Sequence, residues 1–362
     1  MGKRKLAVAA LAVAFPMSLA AVVPAASAAP KTPAVEADED QYLAVANTTA
    51  DYAGLKADVQ RAGGRVVKEL PEIDSLVVRA PEATRTRLAA SVHAAGIAKD
   101  HRVTVAPPER AASGVTARQN IDLASSQIGP VVTPDPAYDL SGLLWNEARV
   151  HMLQAFRVTT GSPDVTVAVA DTGLDYTHAE LAGHVTHVQN FADPTLCKDV
   201  LGLGVSDEDL AAETGGPVDG DFNGHGSWIG GNIAGKLDGA GINGIAPDVS
   251  LVSLKISEWC GTANDSEILQ AFLWAADHGV DVLSISFGGY LDRSDPEQDL
   301  IYRLYADVVE YARLKGMVIV SSAGNEHVQV GAGGLVLSHG QLTTPGATAG
   351  GPDTDFPDLF GL

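Results

Sequence analysis

Val165-Thr166-Val167-Ala168-Val169-Ala170-Asp171-Thr172-Gly173 is the stretch on which the fold turns. Its apolar, Val-rich run carries no alternating polar face, which predicts a strand over 165–170 buried on both sides. The run ends in an acid and Thr172-Gly173, the chemistry of a strand-end turn. Working outward, further strands are expected at Ser250–Ile256, Val280–Phe287 and Met317–Ser322. Helices are expected to open near His225, to run from Glu267 to His278, and to run from Leu300 to Lys315. Asn264 with Glu267 three residues on reads as an N-terminal cap, and Gly279 and Gly316 as stops. Strands alternating with helices imply an α/β domain whose parallel sheet is covered by helices on both faces. In such a sheet chemistry gathers at the carboxyl ends of the strands. Asp171, Ser286 and Asn325 fall there, and His225 opens a helix after a glycine-containing loop.

Upstream the organisation changes. Lys3, Arg4 and Lys5 precede an apolar Ala-rich run from Leu6 to Phe15, and Ala26-Ser27-Ala28 supplies small residues for a signal peptidase. Residues 1–28 therefore read as a secretory leader, which the prolines Pro16 and Pro24 favour over a membrane anchor. Residues 29–41 form a polar lead-in. A small α+β unit follows over 42–106, with strands at Tyr42–Val45, Arg65–Val67 and Ser75–Val78, and helices at Asp51–Ala62 and Ala83–Ala94, the second ending near Gly96. Residues 107–144 are rich in Ala, Ser, Pro and Gly and read as a linker and processing region. The domain built around Asp171 occupies 145–362.

The 362 residues suffice for two such units. Hydrophobic residues make up 46% and charged residues 19%, an ordinary globular balance. A formal net charge of −21 disfavours nucleic acid and anionic membrane as partners, since both repel it. No stretch after the leader is long and apolar enough to span a bilayer, so an extracellular protein without membrane association is expected. Cys197 and Cys260 are the only cysteines. In an exported protein two cysteines most often pair, with two separate buried thiols as the alternative.

The chemistry of the strand-end residues is coherent. An aspartate accepting from a histidine ring nitrogen fixes its tautomer and stabilises the imidazolium formed when the ring takes a proton. An asparagine amide can donate to a developing oxyanion. By itself Asp171 reads equally well as a turn residue before Gly173. His178 and His184 read as surface or turn residues, Trp274 as core, and Ser321 and Ser322 as small residues packing at a strand end.

Four segments carry a resemblance. Val169-Ala-Asp171-Thr-Gly-Leu-Asp175-Tyr-Thr-His178 resembles the segment around the catalytic aspartate of subtilisin-like serine peptidases. Asn223-Gly-His225-Gly-Ser-Trp-Ile-Gly-Gly231 resembles the segment around their catalytic histidine. Ser284-Ile-Ser286-Phe-Gly288-Gly289 resembles their substrate-binding strand, and Val320-Ser-Ser-Ala-Gly324-Asn325 their oxyanion asparagine. All four stand in the family's order, from about Trp145 to Asn325, and Tyr42 to Val105 more loosely resembles the family's inhibitory propeptide. The resemblance implies a secreted, monomeric endopeptidase precursor. In it Asp171 and His225 are catalytic, Asn325 serves the oxyanion, and Ser286, Phe287 and Gly288 bind substrate. Protein or peptide substrates and the chain's own propeptide are the implied occupants of the cleft. No organic cofactor is implied; the family brings calcium, for which Asp219 and Asp221 are candidates beside their reading as solvated loop acids.

Two departures stand out. Ser227 and Trp228 occupy positions where the family usually has Thr and a second His. The Gly-Thr-Ser-Met/Leu-Ala segment that carries the family's nucleophile does not occur; Gly346-Ala347-Thr348-Ala349 lacks the serine. The chain is accordingly read as C-terminally incomplete, inactive as given, with the helices from Glu267 and Leu300 short of packing partners. A pseudo-peptidase that binds proteins or peptides without cutting them is the alternative.

Overall fold

The computed structural model describes residues 39–104, 147, 149–201, 204–238, 241–288, 291–322, 329–330 and 336–338. Within 39–104 lie β1 (Asp40–Ala46), α1 (Tyr52–Arg61), β2 (Arg65–Leu70), β3 (Ser75–Ala80), α2 (Glu82–Ala89) and β4 (Ala94–Lys99). The strands form an antiparallel sheet in the order β2-β3-β1-β4. A short β5 (Arg102–Thr104) follows.

The second body contains a single turn α3 (Met152–Ala155), then β6 (Thr166–Asp171), β7 (Val185–Asn190), α4 (Leu196–Leu201), α5 (Asp207–Thr214) and α6 (His225–Ala234). It continues through β8 (Ser250–Lys255), β9 (Thr262–Asn264), α7 (Asp265–Asp277), β10 (Val282–Ile285), α8 (Pro296–Leu314) and β11 (Val318–Ser321). Among the described residues its sheet has the order β11-β10-β6-β8-β7, every pair parallel. A small antiparallel pair, β12 (Gln329–Val330) and β13 (Val336–Ser338), lies beyond it in sequence. Strand periodicity divides the core. Val167 and Val169 join the cluster of Leu174, Leu181, Ala234 and Leu251, next to α6. Ala168 and Ala170 face the opposite way, into the larger cluster with Ile268, Phe272, Leu283 and Ile285. Helices therefore cover both faces of the sheet, as the unbroken apolar strand implied.

Two readings of the sequence are corrected. The second N-terminal helix stops at Ala89, and Ala94–Lys99 is a strand against β1. The helical pattern there was weak, and edge pairing with β1 overrides it. Second, α7 and α8 do not lack partners among the described residues. One side of β1 and β3 (Tyr42, Ala44, Leu76, Val78) packs with Leu55, Val59 and Leu88. The other side (Leu43, Val45, Val77) joins the cluster that buries α7 and α8, in which Leu300, Ile301, Leu304, Tyr305 and Val308 are all buried. Trp274, expected in the core, is partly buried and sits between the rings of His187 and His278, with centroids 5.0 and 3.9 Å away.

Polar contacts fix this union at the start of α7. Asp100 Oδ1 accepts from the Ser266 amide at 3.0 Å, supplying an acceptor to a helix N-terminus. Its Oδ2 accepts from Gln41 Nε2 at 2.8 Å. The Glu267 carboxylate accepts from both the backbone and side-chain amides of Asn264, the capping box legible in sequence. Asp265 accepts from the Tyr305 hydroxyl at 2.9 Å and the His101 amide at 3.3 Å.

Burial, and then the neighbouring Asp265, push the Asp100 carboxyl up to about 6. An acid raised in the folded state contributes stability that is lost as pH climbs from the ordinary 3.8 towards 6. Asp100→Asn is expected to match the native chain near pH 4 and to exceed it at pH 7 by on the order of 2–3 kcal/mol. Denaturant titrations at the two pH values decide it. A variant less stable at pH 7 would show that the ionised carboxylate's bonds outweigh its desolvation.

Candidate active site

Asp171 ends β6, the middle strand of the described sheet, and His225 is the first residue of α6. His225 Nδ1 lies 2.7 Å from Asp171 Oδ1, with the aspartate side chain 1% and the histidine side chain 21% exposed. The same aspartate oxygen accepts the Thr172 amide at 2.8 Å. The Asp171 hydrogen bond is the main influence raising the His225 pKa above 6.5; burial opposes it, and the charges of Asp171 and Asp221 add to it. The pair thus has one buried, oriented acceptor and one accessible base.

Asp221 organises the approach. Its Oδ1 accepts from Thr172 Oγ1 (2.9 Å) and the amides of Asn223 (3.0 Å) and Gly224 (2.8 Å). Its Oδ2 accepts from the Ser227 amide (2.8 Å) and hydroxyl (2.7 Å). Thr172 Oγ1 in turn accepts the Gly226 amide at 3.0 Å. Glycine is required at 226: a Cβ there would stand 2.1 Å from the Gly173 carbonyl oxygen. Removing side chains at this crossing lets α6 seat His225 against the end of β6. Ser227, in place of the family's Thr, uses its hydroxyl for Asp221 and accepts the Asp175 amide at 2.8 Å. Trp228 is exposed.

The calcium candidates Asp219 and Asp221 serve as hydrogen-bond acceptors here. Both oxygens of Asp221 are committed to donors, and Asp219 Oδ1 accepts the Tyr176 hydroxyl at 2.8 Å. Among the described residues no group of three or more His, Cys, Asp or Glu is placed to hold a metal ion. His178 is exposed and His184 partly so.

Ser286, Phe287 and Gly288 follow β10 at the carboxyl edge of the sheet; Phe287 is fully buried, Ser286 half-buried and Gly288 exposed. Asn325 lies outside the described residues. β5 pairs antiparallel with β9, matching Arg102 to Asn264, Val103 to Ala263 and Thr104 to Thr262. Val103 is buried in the same cluster as Ala263, Ile268 and Phe287. Its strand runs towards the loop 257–261, and in that loop the Trp259 carbonyl accepts from Asn223 Nδ2 at 2.7 Å, two residues from His225. Cys197 and Cys260 are joined by a disulfide that closes this loop onto α4.

A buried aspartate holding a histidine at the carboxyl edge of a parallel, helix-covered sheet is the orienting half of a Ser-His-Asp hydrolase site. The subtilase family model matches residues 162–349, and the chain belongs to the subtilase family. Fervidolysin of Fervidobacterium pennivorans is 27% identical over 284 residues, 76% of this chain and 37% of its own length. The thermophilic serine proteinase of Bacillus sp. (strain AK1) is 31% identical over 194 residues, 53% of this chain and 41% of its own. The chain thus spans about two fifths of the length of these relatives. The crystal structure of fervidolysin, a keratinolytic enzyme related to subtilisin, matches the fold with a TM-score of 0.51 at 23% identity, over 82% of this chain and 41% of that one. That of the epidermin leader peptide processing serine protease of Staphylococcus aureus (S393A mutant) does so with a TM-score of 0.55 at 18% identity, over 81% and 62%. Serine peptide hydrolysis is the chemistry of the family.

Sequence reasoning missed Lys255 and took Asp221 for a calcium candidate or a solvated loop acid instead of the organiser of the loop before His225. Asp221 had a signal, an acid four residues before His225 among glycines. Lys255 had one too, a lone cation closing the apolar run from Leu251.

Proposed function

We propose that this chain belongs to a secreted serine endopeptidase precursor. Asp171 orients His225, which takes the proton of a serine hydroxyl as that oxygen attacks the peptide carbonyl and returns it to the leaving amine. Asn325 donates to the oxyanion, and Ser286–Gly288 pair with the substrate backbone as an added strand. Residues 1–28 direct export, 42–106 form a propeptide, and β5 lies where substrate would. The nucleophile of this chemistry is a serine, and the Gly-Thr-Ser segment that would carry it does not occur in these 362 residues.

The contact that carries this reading is the 2.7 Å approach of His225 Nδ1 to buried Asp171. The strand 102–104 laid beside β9 supports the propeptide part. In support of an extracellular setting stand the leader pattern and the disulfide.

The test compares the 362-residue chain with one extended C-terminally through a Gly-Thr-Ser segment. The first is expected to show neither turnover of a chromogenic peptide nor labelling by a serine-directed covalent probe; the second is expected to show both. Turnover by the first, or a labelled serine within it, would overturn the reading.

A further inference from the structure

Lys255 is the last residue of β8, and the parallel register sets it beside Asp171. Its side chain is fully buried between Leu254 and Ile256, themselves fully buried. An ammonium has three N–H donors and loses its hydration in such a place. Two carbonyl oxygens accept from it, that of Thr172 at 2.6 Å and that of Gly220 at 2.9 Å, and Asp207 Oδ2 stands 2.7 Å away as its counter-charge.

The identity of the two carbonyls matters. Thr172 follows Asp171, and Gly220 precedes Asp221, the carboxylate that gathers the amides around His225. These backbones touch, since a Cβ on Gly173 would stand 2.8 Å from the Gly220 oxygen. Two carbonyl dipoles aimed at one point repel, and a cation between them reverses the sign. Asp207, the anion that accompanies the cation, is held in turn. Its amide donates to Glu258 Oε1 at 3.1 Å, and its Oδ1 accepts the Trp259 amide at 2.9 Å.

We infer that Lys255, with Asp207 as its counter-ion, is a positioning residue that draws the Asp171 loop and the loop before His225 together and so sets the hydrogen bond between acid and base. An apolar pair of similar volume would fill the same space and often leaves stability unchanged. What it cannot do is gather two carbonyls. The inference rests on reading Asp171 and His225 as the acid–base pair. It is tested on histidine protonation, a readout independent of whether any chain cleaves peptide.

The experiment is an NMR titration of the 362-residue chain with ¹⁵N-labelled histidine, His225 being assigned by its absence in His225→Ala. The variants are Lys255→Met and the charge-neutral pair Lys255→Met/Asp207→Leu. Asp193, Asp219, Asp221 and Glu258, whose carboxyl burial pushes up to about 7, are the other carboxylates nearby and stay in place throughout. In both variants the His225 midpoint is expected to fall by about one pH unit, tenfold in its protonation constant, with loss of the low-field Nδ1–H signal. Loss of a positive charge alone would move the midpoint upward, so the sign separates positioning from simple charge compensation. If Lys255→Met does not fold, the double variant decides alone, because it buries no unpaired charge. An unchanged or raised midpoint with the low-field signal retained, in either folded variant, overturns the inference.

Discussion

In a chain extended through a Gly-Thr-Ser segment and shown to turn over peptide, His225→Ala is expected to lower kcat by at least about 10⁴-fold. The base sits 2.7 Å from its buried orienting carboxylate, and no other histidine is described as bonded to Asp171. With the imidazole gone, the serine hydroxyl keeps its proton, and only binding and the oxyanion donors remain to assist water. KM is expected to change little, since the ring contributes to the transition state more than to ground-state binding. The pH profile supplies an independent check. The hydrogen bond to Asp171 raises the His225 pKa, and only the neutral ring accepts a proton. The parent enzyme's kcat/KM is therefore expected to fall on acidification through a midpoint above the ordinary 6.5, a limb that vanishes in the variant. Retention of a tenth or more of the parent rate by His225→Ala would remove His225 from the mechanism.

Cys197→Ser/Cys260→Ser is expected to lose about 4 kcal/mol of stability on the chain-entropy estimate for a bridge between residues 63 apart. The bridge closes the loop that precedes β9 onto the segment leading to α5. Within that loop Trp259 Nε1 donates to the Val205 carbonyl at 2.9 Å, and the Cys260 amide approaches Cys197 Sγ at 3.2 Å. Unbridged, the denatured chain regains the freedom of the whole intervening segment, while the folded one keeps the bond from Trp259 to Val205. Denaturant unfolding of the double variant, against the oxidised parent, measures the difference. A loss below about 1 kcal/mol would show that the loop is held by its hydrogen bonds and not by the covalent link.

The sheet and its two helical layers were legible because the strand at 166–171 carries apolar residues on both faces and 250–255 sets Leu251 on one face and Val252 and Leu254 on the other, the pattern of a doubly covered sheet. The capping box at Asn264–Glu267 and the glycine before His225 were local signals with local causes. Three features were not legible. β7, Val-Thr-His-Val-Gln-Asn, is an exposed edge with too little apolar content to mark it. β4, Ala-Ala-Gly-Ile-Ala-Lys, has weak intrinsic preference and exists because β1 offers it a partner. The burial of α8 under the N-terminal sheet depends on residues far apart in sequence, such as Lys99 and Glu297, 198 positions apart, beyond any window of periodicity. At the candidate site, Asp171 and His225 were named from the sequence. The ammonium of Lys255 was not, and Asp221 was named only as a calcium candidate or solvated loop acid, because the importance of both comes from which backbone atoms they touch.

The edge of β9 is taken by residues 102–104 of the same polypeptide. Any second chain that lies down there as a strand competes with an occupant that never leaves its neighbourhood. A covalent connection long enough to span two sites holds its cargo at an effective concentration of at most the order of millimolar. A peptide present at about 1 μM with equal intrinsic affinity would then hold the edge roughly one part in a thousand of the time. Cutting the connection ends that advantage and leaves the segment held by its pairing with β9 and by the packing of the N-terminal sheet against α7 and α8. On the proposed reading of β5 as the occupant of the substrate position, that edge opens only as far as this packing also gives way, and digestion of the segment makes the opening irreversible.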